Sequence, residues 1–509
     1  MFNNRVWTIA GSDCTGGAGI QADIKTIHNL GAEACSVITA VTAQNTQGVQ
    51  EINAVSDDVL MSQLKALNSD KQADAIKIGM LANKRQVLLI ADWIANTKET
   101  WSQAPYVVYD PVALASSGGD LTEEDVLPTI KAKLLPLIDL ITPNANEVQR
   151  ITGVYLIGWN SLVEAGEAMI KLGVGAVVVK GGHVDIEPNA SVDYCTDGQH
   201  HYWLSNKRID TEHSHGTGCT FASAMASLIA QGYILRDAFT IAKAYITQGL
   251  RHSSQYDGIY GAVWQGFWPE NTHDFPRVLV NDSPTAQQLD WDDGSQPSDI
   301  FTSGFASVGT NKLGLYPVVN NVEWIERLLK AGIKTIQLRE KTSSGDALKQ
   351  AILQAIALGQ QYDARVFIND HWQLAIELGA YGVHLGQEDI EKADLKAIKA
   401  AGLRLGISTH GHYEMLKIMQ YKPSYLAVGA IFPTRTKNMT GQIQGVDTLA
   451  KLVKINADIP MVAIGGITLD NANDVAATKV GCIAVVTALT EADDPEANVK
   501  AFEHILSCH

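Results

Sequence analysis

From residue 313 onward, short apolar runs alternate with amphipathic stretches eight times. The runs are LGLYPVV (313–319), TIQLRE (335–340), RVFIN (365–369), YGVHLG (381–386), RLGIS (404–408), SYLAVGA (424–430), PMVAIGG (460–466) and CIAVVT (482–487), and a helical stretch follows each. Runs this apolar suit parallel strands buried on both faces, and eight regular strand–helix units close as a (β/α)8 TIM barrel. A barrel of this kind carries its functional groups on the loops after the strands.

The first half has the same ingredients in a less regular order. Strands are expected at 6–10, 35–43, 75–80, 106–110, 140–143 and 176–181, with amphipathic helices between them. A strand pair, SVDYCTD and HHYWLS, then precedes a long helix opening at Gly216. The pattern predicts an open, doubly wound α/β domain whose ligands bind beyond the carboxyl ends of its strands. Between the halves, residues 269–310 interleave acids with Pro, Ser and Gln and keep no apolar period. They are expected to link a domain at 1–268 to one at 311–509, although Phe275, Val278, Leu279 and Val280 are apolar enough to pack on a neighbour.

Composition excludes several classes of function. With 46 % apolar and 18 % charged residues, the 509-residue chain can bury large cores. Its 39 basic residues against 55 acidic ones, a net charge of −16, argue against nucleic-acid or membrane-surface partners and leave small molecules as ligands. Six scattered cysteines without a CxxC pair fit neither a disulfide framework nor a zinc ribbon. No run approaches the roughly 18 apolar residues of a membrane span, and the N-terminus lacks a signal-peptide pattern, so a reducing cytoplasm is expected. A homo-oligomer is compatible with the sequence, which does not fix the oligomeric state.

The predicted barrel collects its chemistry on one rim. Gln337, Arg339 and Lys341 follow the second strand, Asn369 and Asp370 the third, and Gln387 and Asp389 the fourth. Ser408 and His410 follow the fifth, Thr434, Thr436 and Lys437 the sixth, Gly465-Gly466 the seventh and Val486-Thr487 the eighth. Cations beside hard carboxylate oxygens make a polyanion site, in which Asp370 and Asp389 suit Mg²⁺ bridging to phosphates. Gly466 and the end of the eighth strand lie where barrels hold phosphate on backbone N–H groups.

The series LYPVV, QLREK, FIND, GVHLGQED, GISTH, FPTRTK, AIGGI and AVVTAL resembles that of the thiamine phosphate synthase family over about 313–490. The resemblance implies condensation of hydroxymethylpyrimidine diphosphate with a thiazole phosphate, expelling pyrophosphate. It implies that Gln337 and Ser408 face the pyrimidine, that Arg339, Lys341, Asn369 and Lys437 hold the diphosphate, and that Asp370 and Asp389 bind Mg²⁺. Thr434, Thr436, Gly466, Val486 and Thr487 would meet the thiazole and its phosphate. Thr487 stands where the family usually has Ser and keeps the hydroxyl. His410 is expected to position rather than transfer protons, and His384 to sit at the rim of the core.

In the first half, HGTGCT (215–220) lies immediately before the helical run FASAMASLIAQG. Successive N–H groups of Gly216, Thr217, Gly218 and Cys219 at a helix start would make an anion hole. Asp110 in YDPV, Asn144 and Glu147 in TPNANE, and Lys180 in VVKGGH each follow a strand, a set suited to Mg²⁺ and nucleotide phosphates. Gly17-Ala18-Gly19 with Ala22 formally matches a dinucleotide fingerprint. Its first glycine lies well past the strand, however, and the next strand ends in Ala43-Gln44-Asn45 without an acid, which disfavours NAD.

The motifs TIAGSD, GGAGIQAD, SVITAVTAQNT, KIGML, DPV, LITPN, VVKGGH and HGTGCT resemble the hydroxymethylpyrimidine/phosphomethylpyrimidine kinase family of the ribokinase superfamily over about 5–265. The resemblance implies ATP as phosphoryl donor, Asp23 and Gln44 at the pyrimidine, and Asp110, Asn144, Glu147 and Lys180 on Mg-ATP. Lys180 and Cys219 would be catalytic, Cys219 taking the hydroxyl proton with a thiol acidified by the helix start. DCT in place of DPS, and Ala113 in place of Met, depart from the family. Together the halves read as a bifunctional transferase of thiamine biosynthesis, in which the first makes the diphosphate that the second consumes. A pyridoxal-type kinase joined to the barrel, and a non-catalytic sensor of the same small molecules, are the other readings.

Overall fold

Ten strands in the first half form a single mixed sheet: β1 (Arg5–Asp13), β2 (Glu33–Asn45), β3 (Gly48–Ala54), β4 (Ala75–Ile78), β5 (Tyr106–Tyr109), β6 (Leu140–Ile141), β7 (Val177–Val179), β8 (Ala190–Thr196), β9 (His201–Lys207) and β10 (Arg277–Val278). Their order is β10-β9-β8-β7-β6-β5-β4-β1-β2-β3. Strands β1, β2, β4, β5, β6 and β7 run parallel, while β3 and the β8–β10 edge are antiparallel. Every residue of β4 and β7 is buried, as strands covered on both faces require. The computed structural model describes residues 4–45, 48–112, 126–182, 186–253, 261–291, 299–435, 443–456 and 458–509.

The helix Thr217–Ala230 is buried continuously from Thr220 to Leu228. Its run of Thr, Ala and Ser side chains is small enough to let a helix pack on every side. Strands β1, β4 and β5 and the helix Gly19–Asn29 pack against it.

The chain divides into two units, Met1–Leu279 and Val280–His509. Residues 269–310, read as a spacer, are shared between them. In the first unit Arg277–Val278 adds a short edge strand to β9, and Phe275, Val278 and Leu279 are buried. In the second, Ser283 caps the helix Pro284–Gln288, and Ile300, Phe301, Phe305 and Val308 are buried. Ser424 Oγ donates to the Ala306 carbonyl at 2.6 Å, and Phe305 N–H donates to that of Lys422 at 3.0 Å. Sparse apolar anchors among many acids leave no period to read, yet each is enough to pin the chain locally.

The second unit is a closed parallel barrel: β11 (Gly314–Val319), β12 (Thr335–Leu338), β13 (Arg365–Asn369), β14 (Gly382–Leu385), β15 (Arg404–Thr409), β16 (Tyr425–Val428), β17 (Met461–Ile464) and β18 (Cys482–Val485), which pairs back onto β11. All eight strands fall where the apolar runs predict them. Its interior is filled by Tyr316, Phe367, Tyr425, Ala427, Val462, Cys482 and Ala484. Gly406 makes room for one of them, because a Cβ there would lie 2.0 Å from the Tyr425 ring.

Candidate functional sites

In the first unit the site forms at the head of the helix Thr217–Ala230. Gly216 precedes it at φ +80°, and a Cβ on it would fall 1.9 Å from the Gly17 carbonyl oxygen. Only glycine lets the loop Asp13–Ala18 approach the helix start this closely. A Cβ built on Gly218 would lie 3.2 Å from Asp110 Oδ2 and 3.3 Å from Lys180 Nζ, so both charges border the N–H groups of the first turn. Lys180 Nζ donates to Asp110 Oδ1 at 3.1 Å, while Asp110 Oδ2 is buried without a hydrogen-bond partner. A buried carboxylate oxygen left unpaired is costly, and a divalent cation would satisfy it.

Glu147 shares this field. Burial pushes its carboxyl up to about 7, with Lys180 opposing the shift and Asp110 adding to it. Asn144 and Glu147 also cap the helix Ala145–Thr152 reciprocally: Glu147 N–H donates to Asn144 Oδ1 at 3.0 Å, and Asn144 N–H donates to Glu147 Oε2 at 2.7 Å. One oxygen of each is therefore committed to the helix start. Because the folded state holds the Glu147 proton up to about 7 and the unfolded chain only to about 4.5, wild-type stability should fall as pH rises across that window. Glu147→Gln in metal-free protein is expected to raise the thermal midpoint of the first unit above pH 7 and to change it little near pH 4.5. Calorimetry across that range checks this, and a pH-independent difference would contradict it.

Two expectations need correction. Cys219 lies in the first turn of the helix, yet burial pushes its thiol up to about 11, with Lys77 opposing and Asp23 and Asp110 adding to the rise. A helix start favours a thiolate, but desolvation beside two carboxylates outweighs it. Asp23, expected at the pyrimidine, is fully buried behind the site. Its carboxylate accepts from Lys77 Nζ at 2.8 and 3.0 Å, from Ser223 Oγ at 2.7 Å and from Thr8 Oγ1 at 2.5 Å. With both oxygens committed to side chains of the core, it has no edge to offer a ligand.

Its partner Lys77 escaped the sequence reading. Burial alone would strip the Lys77 ammonium of its proton, but Asp23, with Cys219 and Asp110 nearby, holds it above its ordinary value. A lysine inside the apolar run AIKIGM was the available signal. Asp13 was missed as well. Burial raises its carboxyl, but hydrogen bonds from His215, Gln44 and Thr15 more than offset this and hold it well below the usual carboxylate range. The Ala18 N–H also donates to Asp13 at 2.8 Å. Gln44 is thereby tied to the loop that closes on Gly216.

In the barrel, the rim residues lie at the carboxyl ends of successive strands. Asp370 follows β13 at φ +63°, a left-handed conformation that Asp tolerates, and its N–H donates to the His384 carbonyl at 3.0 Å. Burial and then the neighbouring Asp389 raise its carboxyl above the ordinary value, opposed by Lys341, His371 and Arg339. Lys341 Nζ is 3.8 Å from Asp370 Oδ2. Two carboxylates that repel each other are relieved by a divalent cation between them. Among the described residues no three His, Cys, Asp or Glu converge as a cage, so such a cation would draw its other ligands from water or substrate oxygens.

Asn369 ends β13 and is buried, Arg339 follows β12, and its N–H donates to the Val319 carbonyl at 2.7 Å. Gln387 Nε2 donates to the Ser408 carbonyl at 2.6 Å. His410 is bound to Glu414 Oε2 through both Nδ1 and its N–H, each at 2.8 Å. His384, expected at the rim of the core, is buried between Tyr425 and Ser408. Gly466 follows β17 and packs under the Pro433 carbonyl, Thr434 follows β16, and Val486 caps the helix Thr487–Thr490 after β18. Thr436, Lys437 and Ala113 lie outside the described residues.

An α/β unit with a carboxylate–lysine pair at a helix start, and a barrel with acids and cations along its carboxyl rim, describe a transferase with two sites for phosphorylated small molecules. The phosphomethylpyrimidine kinase family matches residues 13–264, and the thiamine monophosphate synthase family matches 315–489. A probable chloroplastic thiamine biosynthetic bifunctional enzyme of Oryza sativa is 33 % identical over 510 residues, covering 99 % of this chain and 88 % of its own length. The thiamine-phosphate synthase of Salmonella typhimurium is 57 % identical over 183 residues, 36 % of this chain and 87 % of that protein. The solved phosphomethylpyrimidine kinase of Clostridium difficile is 35 % identical, covering 48 % of this chain and 99 % of its own, with a TM-score of 0.42. The chain belongs to the bifunctional thiamine biosynthetic enzymes, joining a phosphomethylpyrimidine kinase domain to a thiamine-phosphate synthase domain. No helix among the described residues is long and apolar enough to cross a membrane.

Proposed function

We propose that the first unit phosphorylates hydroxymethylpyrimidine and then its monophosphate with ATP and Mg²⁺, and that the barrel joins the resulting diphosphate to a thiazole phosphate. The observation that carries the kinase reading is the Asp110–Lys180 pair against Gly218, with one buried Asp110 oxygen unpaired. The N–H groups of Gly216 to Cys219 receive phosphate oxygens, and Lys180 balances their charge. The thiolate form of Cys219 takes the proton of the acceptor hydroxyl as the acceptor oxygen bonds to the terminal phosphorus of ATP and the bond from that phosphorus to ADP breaks. Gln44 orients the acceptor ring. Asp110 and Glu147 would hold Mg²⁺, whose chemistry is to neutralise the transferring phosphates.

In the barrel, Arg339, Lys341, Asn369 and Lys437 hold the diphosphate while the bond from its oxygen to the pyrimidine methylene breaks. Preorganised positive charge stabilises the departing pyrophosphate, and the thiazole nitrogen then bonds to the methylene carbon. Gln337 and Ser408 face the pyrimidine; Thr434, Thr436, Gly466, Val486 and Thr487 hold the thiazole phosphate; Asp370 and Asp389 would hold Mg²⁺ there. Cysteines that remain free thiols suit a reducing cytoplasm.

A mass-spectrometric assay with hydroxymethylpyrimidine, thiazole phosphate, ATP and Mg²⁺ tests the whole reading. Thiamine phosphate should form only when all four are present, and omission of thiazole phosphate should leave the pyrimidine diphosphate. Turnover of pyridoxine as efficient as that of hydroxymethylpyrimidine would overturn the kinase assignment.

A further inference from the structure

The amino-terminal end of the barrel, opposite the rim that carries Asp370 and Asp389, holds a cavity of about 700 Å³. It lies where the chain enters four adjacent strands: Leu313 precedes β11, Ile333 precedes β12, Met461 opens β17 and Val480 precedes β18. These four buried side chains give it an apolar floor. Around the floor stand three exposed lysines, Lys312, Lys334 and Lys479, and Glu503 is the one acidic side chain in the lining.

Three ammonium groups around one cavity repel each other, and in a chain of net charge −16 they reverse the sign of the charge locally. Lys334 Nζ donates to the Tyr362 carbonyl at 2.8 Å. The Lys312 and Lys479 ammonium groups have no hydrogen-bond or ion-pair partner among the described residues. The backbone singles out Lys479. The turns into β12, β14 and β15 take a left-handed step with glycine, at Gly332, Gly379 and Gly402, where a lysine is disfavoured. Lysine takes that step before β16 at Lys422 and before β18 at Lys479, at φ +48° and +65°. Lys422 has a local reason, since its Nζ donates to the Thr302 carbonyl at 3.0 Å. Lys479 has no such contact, and its side chain borders the cavity.

We propose that this cavity binds an organic phosphate carrying an aromatic ring, with the ring on the apolar floor and the phosphate among the three lysines. The volume is that of a small-molecule site. Lysine meets phosphate as a point charge and needs no fixed geometry from it. A bare inorganic anion would leave the floor in water, and an uncharged ring would leave the cations uncompensated. ATP and thiamine phosphate both have this chemistry. The site is at the far end of the barrel from the carboxyl rim and does not depend on the reactions proposed there.

Trace acetylation of the full chain, read lysine by lysine by mass spectrometry, tests the proposal with ATP, thiamine phosphate and inorganic phosphate as separate probes. With ATP or thiamine phosphate above its Kd, acetylation of Lys312, Lys334 and Lys479 should fall together by at least about threefold, while that of the exposed Lys396 stays unchanged. Whichever of the two protects identifies the source of the ring. Protection by inorganic phosphate as strong as by either would show that the floor contributes nothing, and protection by none of the three would show that no such site exists; each result overturns the proposal. Reading single lysines keeps ligand held at the catalytic sites out of the signal. In Lys312→Ala/Lys479→Asn, protection of Lys334 should be lost while thiamine phosphate formation at saturating substrate is unchanged. Asn keeps the left-handed turn. Lys312→Ala alone, which leaves that turn untouched, carries the same expectation should the double variant not fold. Lys334 still protected in these variants would mean that the three cations do not share a ligand, and would overturn the proposal as well.

Discussion

Cys219→Ala is expected to lower kinase kcat/KM by about a hundredfold to ten-thousandfold while leaving thiamine phosphate formation from supplied pyrimidine diphosphate unchanged. The range is that of a general base lost from a site whose other parts remain. Asp110, Lys180 and the N–H groups of the helix start stay in place, and phosphoryl transfer owes most of its acceleration to positioning and charge. The raised thiol gives the prediction a second readout. With the Cys219 proton leaving near pH 11, the thiolate is scarce at pH 7, and its fraction grows tenfold per pH unit from there. Wild-type kcat/KM should therefore climb with pH through the neutral and alkaline range, and the slope should vanish in Cys219→Ala. Binding of the acceptor or nucleotide places new charge beside the sulfur and shifts the whole curve without changing its sense. A flat wild-type profile would deny the thiol its role as proton acceptor, and equal losses in both activities would deny that the two sites work independently.

The parts of the protein that could be read without coordinates are those written in local pattern. All eight barrel strands announce themselves as apolar runs, because a strand buried on both faces has no polar positions to confuse the period. Strand β3 does not, since its GVQEINA sequence lies on an open edge and is largely exposed. Strand β10 is two residues long and owes its existence to β9. The same division holds for the sites. Residues following strand ends can be placed together from sequence because topology gathers them on one rim. What failed depended on partners distant in sequence. Asp23 carries the acid a pyrimidine contact would want, but a lysine 54 residues away consumes it. Cys219 sits where a helix start should acidify it, but burial and then the charges of Asp23 and Asp110 raise it, and no local reading could place those carboxylates there. Tyr316, His384 and Tyr425 lie inside strands as single polar tips, and only closure of the barrel brings their ends within hydrogen-bonding distance.

Asp389→Ala is expected to reduce thiamine phosphate formation by about a hundredfold to a thousandfold and to spare the kinase. The reduction follows from what the two rim carboxylates do to each other. Asp370 is raised by burial and by Asp389, so in the metal-free barrel the pair is a repulsive arrangement without internal compensation beyond Lys341, His371 and Arg339. Removing Asp389 relieves that repulsion, which lets Asp370 ionise at lower pH, but it also removes half of the protein oxygen set a divalent cation would meet. The two effects separate experimentally. In Asp389→Asn the acid limb of the rate profile should move to lower pH, because Asp370 is then freed of its neighbour's charge and keeps activity further into acid. The Mg²⁺ concentration for half-maximal rate should rise at the same time, since one charged oxygen has been lost. Asp370→Asn should raise the Mg²⁺ requirement as well and should keep the left-handed turn, which Asn tolerates as readily as Asp. If the carboxylates merely braced the loops after β13 and β14, both substitutions would lower the thermal midpoint and leave the Mg²⁺ dependence where it was. A site that binds a cation predicts the reverse: a metal-free protein no less stable than wild type, and a synthase that needs more Mg²⁺ to run.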